Sequence, residues 1–245
     1  MKGYFLTDPG KVREHNEDAV IITKNESNEI LMAVADGMGG HNAGEIASNI
    51  TIDYLKEEFE KKNKLGTKVE AVSWLKEKVK EINKKIFEYT YQNPESKGMG
   101  TTLVIALLTD EYTIMGNIGD SCGYVIRDKK LYKVTHDHTL VNLLVSTGDL
   151  TLEEAKNHPR KNILMKALGA NDPIDIDIFD IDQSISSIFL CSDGVTNMLY
   201  DDQIERVLND DLDIESKVIK IILKCNNRGG TDNISVAYLE KESGE

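Results

Sequence analysis

The chain has 245 residues, and its 29 Lys and Arg against 42 Asp and Glu give a formal net charge of −13. This length allows a large buried core, and a hydrophobic content of 40% is ordinary for a globular protein. The acidic surface repels nucleic acid and anionic membranes, and no apolar run reaches the roughly 18 residues of a membrane span, so neither is an expected partner. Asp8 comes too early for a signal-peptide core, which predicts a cytoplasmic protein.

The first half of the chain predicts two strands followed by two helices. Residues 18–24 and 30–35 form short apolar runs typical of strands, and the polar stretch 25–28 between them predicts a turn. Apolar residues then recur every three or four positions over 43–54 and again over 72–89. Charged residues lie on the opposite side of both helices, so we expect each helix to pack one face against a sheet.

The second half of the chain is mostly β. Short segments rich in Val, Ile, Leu, Thr and Tyr predict an antiparallel meander over 101–109, 112–118, 121–127 and 131–134. Residues 139–168 are less densely apolar and are predicted to be helical and irregular. The remaining predictions are strands over 174–180, 187–192 and 233–239 and a helix over 214–225. Because strands and helices are segregated, the pattern favours an α+β fold of sheets covered by helices.

Four aspartates lie at the ends of predicted strands, namely Asp36, Asp120, Asp193 and Asp232, and three of them have a glycine beside them. Any one of them alone is more typical of a turn, because Asp-Gly is a common turn signal. Together they indicate a shared site, since carboxylates converging at one sheet edge would repel each other unless a divalent cation bound them. Oxygen ligands without a Cys or His cluster favour Mg²⁺ or Mn²⁺.

Arg13 lies in an acidic stretch that runs to Asp18 near the N-terminus. Taken alone, an arginine in such a stretch is more often a solvated surface charge. Beside a metal cluster, its planar guanidinium would be a natural two-pronged ligand for a phosphate group. The sequence therefore makes Arg13 a candidate phosphate ligand only if the aspartates converge.

The three cysteines, Cys122, Cys191 and Cys225, are far apart in the sequence and odd in number. No Cys-x-x-Cys motif is present, so the sequence predicts no disulfide framework. Cys191 ends an apolar run and is expected to be a small buried side chain rather than a nucleophile. No functional role is assigned to the cysteines.

Eight short motifs follow one another between residues 13 and 235. They are Arg13-x-x-Asn16-Glu17-Asp18, Val34-Ala35-Asp36-Gly37-Met38-Gly39-Gly40-His41, Gly100-Thr101-Thr102, Asn117-Ile118-Gly119-Asp120-Ser121, Thr135-x-Asp137-His138-Thr139, His158-Pro159-Arg160-Lys161-Asn162, Ser192-Asp193-Gly194 and Asp232-Asn233-Ile234-Ser235. In this order they resemble the metal-dependent protein serine/threonine phosphatases of type 2C, the PPM family, in its compact bacterial form. Each motif alone is a weak signal, whereas the ordered set is highly specific.

The resemblance implies a fold and a domain organisation. The fold is an α+β, four-layer αββα sandwich, in which two central, mostly antiparallel sheets are flanked by helices. Residues 1–245 would form a single catalytic domain, for which we expect a monomer. The segment 139–168 corresponds to the family's mobile flap beside the site.

Four positions carry the metal-binding core that the resemblance implies. Asp36 would bridge two divalent cations, Mn²⁺ or Mg²⁺, and the Gly37 carbonyl would bind one of them. Asp193 and Asp232 would complete the ligand shell of the other cation.

Further positions surround this core in the family. Asp18, together with Glu17, would hold metal-bound waters rather than bind a cation strongly. Asp120 would help Asp193 to form a weaker third metal site. Arg13 matches the arginine that binds the substrate phosphate.

The resemblance also implies a mechanism without a phosphoenzyme. Water activated between two cations about 4 Å apart would attack the phosphorus of phosphoserine or phosphothreonine directly. Eukaryotic members have a histidine general acid at the position of Met38, and methionine cannot donate a proton. The proton would then come from metal-bound water or from another side chain. His41 is the nearby candidate, and a structural role in the loop or as a helix cap is at least as well supported.

Two other readings stay open. The chain would be a catalytically weak, phosphatase-like regulatory binding module if its ligands were degenerate, but Asp36, Asp193, Asp232 and Arg13 are all present. It would be a phosphatase dedicated to a single regulatory phosphoprotein if a sensor domain accompanied it. A calcium-binding protein would need a loop of the EF-hand type, which the sequence lacks. The partners implied are phosphorylated proteins and a bacterial Ser/Thr kinase, by family analogy.

Overall fold

The computed structural model describes residues 1–40, 43–156 and 158–241. Its strands are β1 (Lys2–Asp8), β2 (Asp18–Lys24), β3 (Ile30–Met38), β4 (Gly100–Thr101), β5 (Leu103–Leu108), β6 (Thr113–Ile118), β7 (Cys122–Arg127), β8 (Lys130–Lys133), β9 (Asp177–Ile181), β10 (Ser187–Cys191) and β11 (Ile234–Glu240). Its helices are α1 (Ala43–Glu60), α2 (Lys68–Gln92), α3 (Leu140–Thr147), α4 (Leu152–Lys156), α5 (Asp193–Thr196), α6 (Asp201–Leu208) and α7 (Ile214–Asn227). No helix within these ranges is both long enough and apolar enough to cross a membrane.

The strands form two antiparallel sheets. The first sheet has the order β1-β11-β10-β7-β8. The second has the order β2-β3-β5-β6-β9, and β4 pairs with β3 beside it. The chain therefore alternates between the sheets several times, through loops and, between β8 and β9, through the segment that contains α3 and α4.

Three apolar layers hold the sheets and helices together. Along β3, Leu31 and Ala33 pack in the cluster that contains α1 and α2, whereas the alternate residues Met32 and Val34 face the first sheet. On the other side, α6 and α7 pack against the outer face of the first sheet, around Phe189. The order of layers is thus helix, sheet, sheet, helix, which confirms the predicted αββα sandwich.

The predicted meander over 101–134 is wrong. β5 pairs with β6 in the second sheet, whereas β7 pairs with β8 in the first. The chain changes sheets at Gly119 and Asp120, and Gly119 has a φ of +99°, which favours glycine. Hydrophobic periodicity identifies buried strands but carries no information about which of two similar sheets a strand joins.

Some elements have no counterpart among the predictions. β1 is an edge strand with half-buried and exposed side chains, so its sequence shows little apolar alternation. α5 and α6, of 4 and 8 residues, are too short to show a helical period. β9 begins at Asp177 instead of residue 174, because Ile174 and Ile176 pack into the helical layer.

The segment 139–168 contains α3 and α4 joined by irregular chain, as predicted. It contacts the body of the fold through a bridge between Thr101 and Leu168, while Thr139 pairs with Leu164 inside it. Its mobility stays a prediction.

Phe59 is fully buried between α1 and α2, where its ring centroid lies 6.0 Å from that of Trp74. Phe59→Ala removes this packing and leaves a cavity, so it should lower the free energy of unfolding by about 3–5 kcal/mol. The control is Phe87→Ala, at an α2 position that is 37% exposed, which should cost less than about 1.5 kcal/mol. Urea unfolding followed by circular dichroism measures both, and equal losses would contradict this packing.

Candidate active site

Asp18 and Asp36 lie opposite each other in the antiparallel pair of β2 and β3. The sequence suggested that Asp36 follows the strand. It lies within the strand instead, because β3 extends to Met38. Its backbone is held by Thr102, whose Oγ1 accepts from the Asp36 N–H at 2.9 Å and whose N–H donates to the Asp36 carbonyl at 2.9 Å. The Gly100-Thr101-Thr102 motif thus fixes the backbone position from which the Asp36 side chain projects.

Gly37 pairs with Thr101 of β4 and places its backbone against the start of α1. A Cβ at Gly37 would lie 2.2 Å from the Gly44 carbonyl oxygen and 2.5 Å from that of Glu17. Only glycine lets the helix approach the strand this closely. This contact explains the glycine after Asp36 by packing, independently of any ligand role.

Asp193 and Asp232 flank strands of the first sheet. Asp193 begins α5 directly after β10, and Asp232 lies two residues before β11. Asn197 Nδ2 donates to Asp193 Oδ2 at 3.0 Å, and the Asn233 N–H donates to Asp232 Oδ1 at 2.9 Å. Because β10 and β11 are antiparallel neighbours, the end of β10 and the start of β11 lie at the same end of the sheet.

Asp120 lies where the chain passes from β6 to β7, and His138 supports this passage. The Gly119 N–H donates to His138 Nδ1 at 3.0 Å, so the imidazole proton is on Nε2, which lies 3.0 Å from Asp177 Oδ2. Lys166 Nζ donates to the other oxygen of Asp177 at 2.8 Å. His138 stands in one of the sequence motifs, but the sequence indicated no role for it, because its partners Gly119 and Asp177 are distant in the chain.

Arg13 lies in the irregular segment 9–17, which joins β1 of the first sheet to β2 of the second. Its Nη2 donates to Asp232 Oδ2 at 2.9 Å, and its side chain is 51% exposed. An ion pair this exposed contributes little to stability. The guanidinium is therefore beside the carboxylates and accessible from solvent.

One cleft of about 480 Å³ brings the predicted residues together. Those that line it are Arg13, Glu17, Asp36, Gly37, Asp120, Asp193 and Asp232. Asp18 is 7% exposed, lies opposite Asp36 on the neighbouring strand and is not among the residues that line the cleft. Residues 164–167 of the flap segment form part of the wall.

Burial, and then mutual repulsion, raise the pKa of the carboxylates in this cluster. Burial, followed by the charges of Asp18 and Asp193, raises the pKa of Asp36 well above its usual value. Burial raises the pKa of Asp18 to about 7 and that of Asp120 to about 7, and Asp193 adds to both shifts. Burial and the charge of Asp232 likewise raise the pKa of Asp193. The cluster is thus destabilised by its own negative charge, which a cation would neutralise.

Asp18 has a further feature that fits a cation site. Its Oδ2 accepts from Ser192 Oγ at 2.7 Å, whereas its buried Oδ1 has no hydrogen-bond partner among the described residues. An unpaired buried oxygen beside mutually repelling carboxylates suits a hard divalent cation. Within the described ranges, no three Asp, Glu, His or Cys side chains already stand as a complete metal-binding group, so the ligand assignments stay predictions.

The proton donor is not identified by the described residues. Met38 lines the cleft and cannot donate a proton. His138 is not among the residues that line the cleft, and its Nε2 is engaged by Asp177. His41, the candidate from the sequence, lies outside the described residues.

Metal-free stability should depend on the pH through Asp120, whose folded-state pKa of about 7 exceeds its usual value of 3.8. The folded state then holds a proton that the unfolded state releases, so stability is present below pH 4 and is lost as the pH rises through 7. In EDTA, Asp120→Asn should stabilise the protein by about 1–3 kcal/mol at pH 8 and by only about a third as much at pH 5, because pH 5 has crossed about a third of the interval between the two pKa values. Chemical unfolding at both pH values tests this, with the exposed Asp110→Asn as the control. A gain that is equal at both pH values would contradict the shift.

Comparisons with known proteins agree with this geometry. A family model described as protein phosphatase 2C matches residues 11–228. The serine/threonine phosphatase stp of Listeria welshimeri is 39% identical over 242 residues, which cover 98% of this chain and 96% of the relative.

Solved structures agree as well. The serine/threonine phosphatase of S. agalactiae superposes with a TM-score of 0.93 at 35% identity, covering 98% of this chain and 99% of the other. The catalytic domain of the serine/threonine protein phosphatase PstP, solved with two manganese ions, superposes with a TM-score of 0.84 at 31% identity, covering 98% and 97%. The family resemblance read from the motifs is confirmed, and the chain belongs to the protein phosphatase 2C family.

Proposed function

We propose that this chain is a metal-dependent phosphatase that hydrolyses phosphoserine and phosphothreonine in other proteins. The observation that carries the proposal is the single cleft in which Asp36, Asp193 and Asp232 lie with Arg13 beside them. Carboxylates suit divalent cations, and a guanidinium suits phosphate oxygens. The names of the similar proteins support the same substrate class.

The carboxylates would hold two divalent cations, Mn²⁺ or Mg²⁺. Asp36 would bind both, the Gly37 carbonyl would bind one, and Asp193 and Asp232 would complete the site of the other. Bound cations would activate water as the nucleophile and would neutralise charge on the phosphate. An all-oxygen ligand set and the manganese ions in the PstP structure support this choice.

The outer residues would act around these two cations. Asp120 and Asp193 would bind a weaker third cation. The raised pKa of Asp120 supports this, because burial and the charge of Asp193 disfavour its carboxylate and a cation would neutralise that charge. Asp18, which lies opposite Asp36, and Glu17, which lines the cleft, would act through water. The unpaired Asp18 Oδ1 points to a hydrogen-bonding task of this kind.

Arg13 would donate two hydrogen bonds to the phosphate group of the substrate. Its present partner is Asp232, and a guanidinium that is 51% exposed can turn from a carboxylate towards an incoming phosphate. The phosphate would then lie between Arg13 and the cations. Its negative charge would be balanced on both sides as the bond to the serine or threonine oxygen breaks.

The cysteines support direct transfer to water. Cys122, Cys191 and Cys225 are buried in the first sheet and its helical layer, and none of them lines the cleft. Burial raises the pKa of Cys122 to about 12 and that of Cys225 to about 12, so neither forms a reactive thiolate near neutral pH. A phosphoenzyme on cysteine is therefore not part of the proposal.

The family also suggests the domain organisation, the oligomeric state and the opposing kinase. Residues 1–245 would form one catalytic domain, acting as a cytoplasmic monomer against a bacterial Ser/Thr kinase. A regulatory binding module would use the same cleft without turnover, and the retained Arg13 and aspartates favour turnover. A phosphatase for one regulatory phosphoprotein differs only in its substrate and would need a substrate survey.

Asp193→Ala tests the metal requirement. Wild-type protein should hydrolyse para-nitrophenyl phosphate and a phosphothreonine peptide with Mn²⁺ or Mg²⁺ and should lose this activity in EDTA. Asp193→Ala should lower kcat/KM by at least about 100-fold, because a ligand to the cations is lost. Asp211→Ala, in the exposed turn before α7, is the control and should match the wild type. Activity that survives EDTA would refute the two-metal proposal, and no turnover with any metal would favour the binding module.

Arg13→Ala tests the phosphate contact. It should lower kcat/KM for the phosphopeptide by about 100-fold, and Arg13→Lys should recover only part of this, because lysine cannot make a two-pronged contact. Inhibition by inorganic phosphate should weaken in parallel. The control is Arg206→Ala, on α6, where the side chain is 76% exposed. Unchanged phosphate inhibition in Arg13→Ala would remove Arg13 from the site.

A further inference from the structure

The segment that carries Arg13 needs an anchor. Residues 9–17 have no regular secondary structure and pass from one sheet to the other. The Arg13 side chain is 51% exposed, so its own packing does not fix the guanidinium relative to the carboxylates. Hydrogen bonds to the backbone of the segment must do so.

Asn233 makes such bonds on both sides of Arg13. Its Nδ2 donates to the carbonyl oxygens of Pro9 at 3.0 Å and His15 at 2.9 Å. Its Oδ1 accepts from the Glu17 N–H at 2.8 Å. Both N–H donors and the acceptor of the amide are therefore used, and Asn233 is 6% exposed, so water competes little for these bonds.

The same residue adjoins the carboxylate cluster. The Asn233 N–H donates to Asp232 Oδ1 at 2.9 Å, and β11 begins at the next residue, Ile234. A second attachment lies close by, where the Lys11 N–H donates to the Gly230 carbonyl at 2.8 Å. Asn233 is thus joined through its backbone to a proposed metal ligand and through its side chain to the Arg13 segment.

We infer that Asn233 is a positioning residue that sets the location of Arg13 relative to Asp232, and hence where the substrate phosphate lies. This inference rests on the proposed function. A primary amide is the group that offers two donors and one acceptor from a single planar side chain. Aspartate would instead place an oxygen against the Pro9 and His15 carbonyls, and the segment would detach.

The test is a double-mutant cycle in the full chain, with Mn²⁺ and a phosphothreonine peptide. Asn233→Asp keeps the size and the acceptor but loses both donors. It should lower kcat/KM and weaken phosphate inhibition by about 10- to 100-fold, mainly through KM. Arg13→Ala should then cost less than about 3-fold in the Asn233→Asp background, against about 100-fold in the wild type, because the two residues act as a unit.

Asn209→Asp is the matched control. Asn209 Nδ2 also donates to two backbone carbonyls, those of Lys129 at 2.8 Å and Glu205 at 2.9 Å, and it lies away from the cleft at the end of α6. In this background Arg13→Ala should still cost about 100-fold. If Arg13→Ala costs as much with Asn233→Asp as in the wild type, the inference is overturned.

A second variant covers a failure to fold. Asn233→Ala removes the same bonds without placing oxygens against each other, and circular dichroism checks the fold of both variants. Amide hydrogen exchange over 9–17 should accelerate at least about 10-fold in Asn233→Ala, while exchange in β10 stays as in the wild type. Unchanged exchange over 9–17 would also overturn the inference. A wild-type protein that hydrolyses no phosphopeptide would refute the proposed function instead, and the exchange measurement would still decide whether Asn233 holds the segment.

Discussion

Repulsion between buried carboxylates is the constraint on which the rest of this structure depends. Asp18, Asp36 and Asp193 are withdrawn from water beside one another, and burial and their neighbours raise the pKa of each. Holding them together costs free energy in the metal-free chain. Three apolar layers elsewhere in the sandwich provide the offsetting stability. A cation that relieved the repulsion would stabilise the fold as well as supply chemistry, so folding and cation binding are linked.

The sandwich creates the site because it brings the ends of two sheets together. Asp18 and Asp36 belong to the second sheet, while Asp193 and Asp232 flank strands of the first. The passages from β1 to β2 and from β6 to β7 carry Arg13 and Asp120, and both residues line the cleft. Neither sheet alone would assemble the cleft, which explains why the packing of the sheets against each other matters to function.

Polar side chains then fix what the regular elements leave free. Strand pairing and Thr102 locate Asp36, whereas irregular chain carries Arg13 and Asp120. Asn233, which donates to the Pro9 and His15 carbonyls, and His138, which accepts from the Gly119 N–H, hold these two irregular passages. The active site thus has a rigid part, built on strands, and a part whose geometry depends on a few buried amide and imidazole contacts. Substitution of Asn233 or His138 should therefore change substrate binding and turnover more than it changes the stability of the fold.

The sequence by itself determined the family, most strand and helix positions, and most of the residues that line the cleft, because local periodicity and short motifs carry that information. It led to a wrong meander over 101–134, since periodicity shows that a strand is buried but not which sheet it joins. It assigned no roles to Asn233 and His138, although both stood in the motifs. The partners of Asn233 are at Pro9 and His15, more than 200 positions away in the chain. Only the packing of one sheet on the other brings such residues into hydrogen-bonding distance, so the tertiary structure alone decided how the Arg13 segment is held.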